Sequence, residues 1–166
     1  ALPGLRELAL DQAPPGAVEG GALLERLWLK TPSDEAIPAL RDARGLTALR
    51  ELAISLPAAR LLAACDVLAD ADLLGGLRAL TLRQLNDAAP LRTLLRSGRL
   101  GGLEALALDV SDDGAASVWA ALLDAEQSLG GLGEVTVSYP MWRAAQPQIA
   151  GTWLEGRLSY KFDMGW

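Results

Sequence analysis

Leu77-Arg78-Ala79-Leu80-Thr81-Leu82 is one statement of a phrase, leucine-x-x-leucine-x-leucine, that the chain makes six times, with Ile54, Val135 and Val137 standing in for leucine. The other statements run Leu5 to Leu10, Leu24 to Leu29, Leu49 to Ile54, Leu103 to Leu108 and Leu132 to Val137. They start at residues 5, 24, 49, 77, 103 and 132, so the steps are 19, 25, 28, 26 and 29 residues. Five of the six carry a further leucine three positions earlier: Leu2, Leu46, Leu74, Leu100 and Leu129. Self-similarity at this period marks a repeat architecture, in which each unit buries its apolar face only against its neighbours.

Each phrase ends in a strict alternation, as in Leu8-Ala9-Leu10, whose period of 2 predicts a short strand. Between phrases the spacing becomes helical. Ala36, Ile37, Leu40 and Ala43 predict one helix, with Ser33 and Asp34 as caps and Asp34-Glu35 suited to the first-turn dipole. Leu61, Leu62, Cys65, Leu68 and Ala69 predict a second, and Leu91, Leu94 and Leu95, after Asp87 and Pro90, a shorter third. Val118, Trp119, Leu122 and Leu123 predict a fourth, begun by Ser111-Asp112-Asp113-Gly114. Asp11 to Leu23, rich in proline and glycine, is expected to cross by a loop or single turn. Glycine pairs at 75–76, 101–102 and 130–131 are expected to end helices in left-handed turns.

Six such phrases joined by helical crossovers make residues 2 to 140 resemble a leucine-rich repeat protein of the longer-repeat kind. The resemblance implies an α/β fold: a curved solenoid or horseshoe, with parallel strands on the concave face and helices on the convex face. The repeats start near residues 2, 21, 46, 74, 100 and 129 of a single domain spanning 1–166. The family's asparagine or cysteine three positions after the phrase is absent, replaced by Ala13, Pro32, Pro57, Leu85, Ser111 and Pro140.

Residues 139–166 are read as a C-terminal cap. Six of the eight aromatic residues lie there: Tyr139, Trp142, Trp153, Tyr160, Phe162 and Trp166. Leu158, Tyr160, Phe162 and Met164 alternate with Ser159, Lys161 and Asp163, which predicts one more strand, 23 residues after Val135. A solenoid end exposes core and needs an atypical closing unit.

Composition bounds the chemistry. The chain has 166 residues, 51% of them hydrophobic, and a formal charge of −6, which argues against a nucleic-acid partner. Leu56 to Leu77, the most apolar stretch, is broken by Arg60, Asp66, Asp70 and Asp72, so it is read as a soluble helix and no membrane insertion is expected. A single cysteine rules out an internal disulfide framework and fits a reducing compartment, hence an intracellular, cytoplasmic expectation. No initiator methionine opens the chain, and residue 1 is expected to be a boundary within a longer one.

There is no histidine, the commonest general base and zinc ligand. Cys65 falls on an apolar stripe, where a thiol is inert. Asp109-Val-Ser-Asp-Asp-Gly114 copies the start of a calcium loop but has Ala120 where the bidentate glutamate belongs. Gly130-Gly-Leu-Gly133 precedes a strand, the reverse of a dinucleotide fingerprint. The chain is expected to be no enzyme and to need no metal, cofactor or small-molecule substrate.

Binding is expected on the outward strand positions, which alternate with the core leucines. They are Glu7, Ala9 and Asp11; Arg26, Trp28 and Lys30; Glu51, Ala53 and Ser55; Ala79, Thr81 and Arg83; Ala105, Ala107 and Asp109; Glu134, Thr136 and Ser138. Three cations and five anions make this face mixed in sign, and Trp28 is its only aromatic. Exposed tryptophan and arginine are enriched in interface hot spots. The expected function is therefore a protein-interaction module, with Arg26, Trp28, Lys30, Glu51, Ser55, Arg83, Asp109 and Glu134 meeting a polypeptide partner. The alternatives are a structural subunit packed through the aromatic C-terminus and convex helices, and a Trp28 covered by the Pro14-Pro15 loop.

Overall fold

A computed structural model describes residues 6–10, 23–30, 36–42, 46–129 and 131–161. Each phrase ends in a strand: β1 (Glu7–Leu10), β2 (Arg26–Lys30), β3 (Glu51–Ser55), β4 (Ala79–Leu85), β5 (Ala105–Val110) and β6 (Glu134–Val137). A seventh, β7 (Leu158–Tyr160), follows in the C-terminal segment. The seven form one sheet in the order β1-β2-β3-β4-β5-β6-β7, every neighbouring pair parallel. The chain is thus α/β, with a single parallel sheet laid down in sequence order.

Equivalent leucines face each other across that sheet: Leu27 opposite Leu52, Leu52 opposite Leu80, Leu80 opposite Leu106 and Leu106 opposite Val135. The strand entries repeat just as closely. The carbonyl of Arg6 accepts from the backbone N–H groups of Glu25 and Arg26 at 2.8 and 3.0 Å. Glu25, Arg50, Arg78 and Glu104 do the same for the next unit along, at 2.7–3.1 Å. One carbonyl holding two successive N–H groups, five times over, requires each unit to sit on the last in nearly the same pose.

The crossovers carry α1 (Ala36–Asp42), α2 (Ala58–Ala69), α3 (Ala89–Arg96), α4 (Ala115–Leu123) and α5 (Tyr139–Ala145). Their apolar residues Leu40, Leu61, Cys65, Leu68, Leu91, Leu94, Val118, Trp119, Leu122 and Met141 are buried in one cluster with the strand leucines. At about 25 cal/mol per Å² of apolar surface removed from water, this shared core is the main stabilising term. It lies on one side of the sheet and leaves the other to the outward strand positions.

Two helix expectations need correction. Leu62 and Ala69 were placed on the apolar stripe of α2, but Leu62 is 37% exposed and Ala69 only half-buried, while Ala64 takes the buried place. The interval Leu56 to Leu77 is α2 followed by a separate 3-10 turn over Asp72–Gly76. The glycine pairs also work differently from the expectation. Gly75-Gly76 and Gly101-Gly102 close 3-10 turns without left-handed backbone, and among the described residues the left-handed glycines are Gly98, Gly151 and Gly156, while Gly130 of the third pair lies outside them. The Gly76 carbonyl accepts from Arg50 Nη1 at 3.1 Å, and that of Gly102 from Arg78 Nη1 at 3.2 Å. The capping residues Ser33 to Glu35, the Asp11–Ala22 interval and the end of the last strand beyond Lys161 lie outside the described residues.

The C-terminal segment adds β7 to the edge of β6. Val135 pairs with Leu158 in register, the 23-residue offset visible in the sequence. Leu154 is fully buried, and the Trp153 indole N–H donates to the Leu122 carbonyl at 3.1 Å.

Candidate functional site

The parallel register arranges the outward strand residues in three rows that cross the sheet. The first row runs Glu7, Arg26, Glu51, Ala79, Ala105 and Glu134. Arg26 stands between two carboxylates: its Nε lies 3.0 Å from Glu51 Oε1, and its Nη1 pairs with Glu7. Glu51, and after it Glu7, raises the Arg26 pKa above its ordinary value, so this guanidinium is fixed as a cation inside an ion-pair row. These groups are partly exposed and salt-screened, so the row orients side chains more than it stabilises the fold. At the far end Glu134 Oε1 accepts from Thr136 Oγ1 at 3.2 Å and Ser159 Oγ at 3.3 Å.

The second row is Ala9, Trp28, Ala53, Thr81, Ala107, Thr136 and Ser159. Trp28 is half-buried and its register neighbours on both sides are alanines, Ala9 exposed and Ala53 only 6% exposed. Ala53 is buried yet stands apart from the apolar core, because it is shielded on the outward side, in register between the bulkier Trp28 and Thr81. The indole is the one large apolar group on a floor otherwise made of methyl and hydroxyl side chains.

The third row begins with the exposed Lys30 and the buried Ser55, paired in register, and Arg83 lies opposite Ser55. Arg83 Nε is 3.9 Å from Asp109 Oδ2, at the margin of ion-pair contact. Between Leu82 and Leu85 the β4–β5 register shifts at a bulge, where Gln84 takes a left-handed φ of 64°. That bulge re-aims Gln84 so that its Nε2 donates to Ser55 Oγ at 3.2 Å. Ser138 closes the row by accepting from the Val110 N–H and donating to the Val110 carbonyl, both at 2.8 Å.

All eight residues singled out for partner binding therefore share one face: Arg26, Trp28, Lys30, Glu51, Ser55, Arg83, Asp109 and Glu134. The structure divides them by availability. Ser55 is buried and engaged by Gln84, a residue the sequence reading missed, and Arg26 and Glu51 bind each other. Asp11 and the Pro14-Pro15 loop lie outside the described residues.

A second exposed group lies at the C-terminal end. Tyr160 meets Trp142 with ring centroids 5.3 Å apart and Tyr139 at 6.0 Å, edge to face. Tyr139 is 52% and Tyr160 47% exposed. The helix α5 that carries Tyr139 and Trp142 was not anticipated, although Pro140 in its first turn and Met141 and Ala145 one turn apart, both buried, are its signals.

Reactive chemistry is sparse on this face. Cys65 lies in the core, and burial, with the nearby Asp66 charge, pushes its thiol up from 9.0 to about 12. Among the described residues no three cysteine, aspartate or glutamate side chains come together as a metal site, and no helix is long and apolar enough to cross a membrane. Asp112 of the calcium-like stretch pairs instead with Arg143 at 3.2 Å. Comparison with known protein families, curated proteins and solved structures finds no match to this chain.

Proposed function

We propose that this chain is a leucine-rich repeat solenoid acting as a non-enzymatic interaction module, and that it holds a polypeptide partner on the concave, strand-lined face. The repeat reading is supported by the sequential parallel sheet and by the five strand-entry carbonyls that each bind two N–H groups. The observation that carries the binding reading is the seat of Trp28: a half-exposed indole flanked by alanines, on a face that the helices among the described residues leave uncovered. A large apolar anchor standing over small neighbours, with ion pairs around it, has the anatomy of an interface hot spot and its polar rim. The ion-pair row of Glu7, Arg26 and Glu51 fixes the rim next to the anchor, and Lys30 supplies a cation beyond it.

The test is Trp28→Ala, with partner affinity and thermal melting measured on the same sample. Partner binding weakens by about 2 kcal/mol or more, the hot-spot range, while melting changes little because the indole is outside the core. A fall in melting with unchanged affinity removes the binding site from this face.

The second reading, a subunit packed into a larger assembly through its C-terminus, is favoured by the exposed Tyr139 and Tyr160 beside Trp142. It predicts that Trp28→Ala is silent and that Trp142→Ala or Tyr160→Ala disrupts assembly.

A further inference from the structure

The helical side of the molecule carries an unfilled seam. α3 packs closely on α2, yet only sparsely on α4. Between α3 and the end of α4 the structure opens a groove of about 280 Å³. Its floor is the half-buried Leu95 and the small, buried Ala121 and Ala125. Methyl groups at those two positions are too short to reach across, which leaves the gap.

Arg92 and Arg96 form the α3 wall, one helical turn apart, and both are exposed. Among the described arginines these two alone make no ion pair, side-chain hydrogen bond or ring contact; the others all have partners. Like charges at this spacing repel, and an anion seated between them relieves that repulsion. The chain's net charge of −6 makes an uncompensated cationic pair stand out further. Asp124 on the opposite wall supplies one carboxylate, so the groove keeps a positive excess on its α3 side.

We infer that the α3–α4 groove docks an acidic, apolar segment of a partner polypeptide, separate from whatever the strand face holds. The segment's carboxylates meet Arg92 and Arg96 in charge-assisted hydrogen bonds, and one apolar side chain enters over Leu95, Ala121 and Ala125. The groove lies below the roughly 300–1,000 Å³ of small-molecule pockets, so it suits a side chain of a longer ligand better than a whole metabolite. Ordering the two arginines against carboxylates also relieves their mutual repulsion, so occupancy and local helix stability rise together.

The experiment is selection of a random 12-residue peptide library displayed on phage against the whole chain, followed by affinity measurement of the recovered peptides by fluorescence anisotropy. The expected peptides are rich in aspartate and glutamate around a leucine or aromatic residue. Their affinity falls at least tenfold for Arg92→Glu/Arg96→Glu and for Ser128→Trp, which fills the end of the groove, and is unchanged for Trp28→Ala. All four substitutions fall at exposed or half-buried positions, and circular dichroism confirms that each variant is folded. Recovered peptides without acidic enrichment, or affinities indifferent to both groove variants, overturn the inference. So does concentration-dependent self-association that Arg92→Glu/Arg96→Glu abolishes, because the occupant is then a second copy of this chain.

Discussion

Leu80 and Leu106 face each other in register on neighbouring parallel strands, and each is only 1% exposed. The two side chains belong to equivalent positions of successive phrases. Truncating either to alanine is expected to cost about 2–5 kcal/mol, the range for a buried leucine whose cavity does not fully collapse. Chemical denaturation of the two single variants and the double variant checks this. Because the side chains touch, the double variant should depart from additivity, by roughly 0.5–3 kcal/mol.

A second prediction concerns Gly114 at the start of α4. A Cβ there would lie 2.7 Å from the Asn86 carbonyl carbon and 2.9 Å from its oxygen, closer than packed atoms tolerate. Gly114 has an ordinary φ of −82°, so the constraint is space and not backbone freedom. Gly114→Ala is expected to destabilise by about 1–3 kcal/mol, as overpacking does. Gly75→Ala is the control: nothing stands within 4 Å of its added Cβ, and melting should be unchanged or slightly raised.

Much of this architecture was legible because the repeat states its rule six times. The period-2 ending of each phrase marks the strands, and the offset between Val135 and Leu158 locates the seventh. The helix α5 was hidden by its aromatics: Tyr139 and Trp142 draw the eye to capping, while Met141 and Ala145 bury one turn apart. The glycine pairs misled because a pair before a strand looks like a left-handed helix end, whereas Gly75-Gly76 and Gly101-Gly102 close 3-10 turns with no positive φ. On the candidate site, membership of the face followed from alternation alone. The Glu7–Arg26–Glu51 row was within reach, since aligning the phrases puts these three at one register position. The link from Gln84 to Ser55 was not, because it depends on a bulge and a positive φ that no sequence spacing announces.

The buried thiol makes a pH prediction. Cys65 titrates near 9.0 when unfolded and at about 12 in the fold, so folding favours its protonated form. A raised folded pKa means that its contribution is complete below pH 9 and is lost as pH climbs towards 12. Wild-type stability should therefore fall across that window more steeply than that of Cys65→Ala, in denaturant titrations at stepped pH. At pH 8 the native thiol should react with a chromogenic disulfide reagent only as fast as the protein opens.

Removing residues 153 to 166 tests the closing unit. The deletion takes away the Trp153 bond to α4, the buried Leu154 and the strand that covers the edge of β6. Loss of one buried leucine alone costs about 2–5 kcal/mol. At roughly 2–4 °C per kcal/mol for a chain of this size, melting should drop by about 4–20 °C. The uncovered edge should also make the protein self-associate, which sedimentation velocity measures. A truncated chain that stays monomeric with unchanged melting would show the segment to be a tail.

The two lysines of the chain stand near opposite ends of the sheet, Lys30 on β2 and Lys161 just past β7. Lys30 lies beside Trp28 on the strand face, and Lys161 follows β7 next to the C-terminal aromatic group. Amine-reactive cross-linking of the native complex, with the linked peptides identified by mass spectrometry, therefore reports which surface the partner covers. The interaction-module account predicts partner peptides joined to Lys30, and loss of those links in Trp28→Ala. Partner peptides joined to Lys161 alone, unaffected by Trp28→Ala, would contradict it.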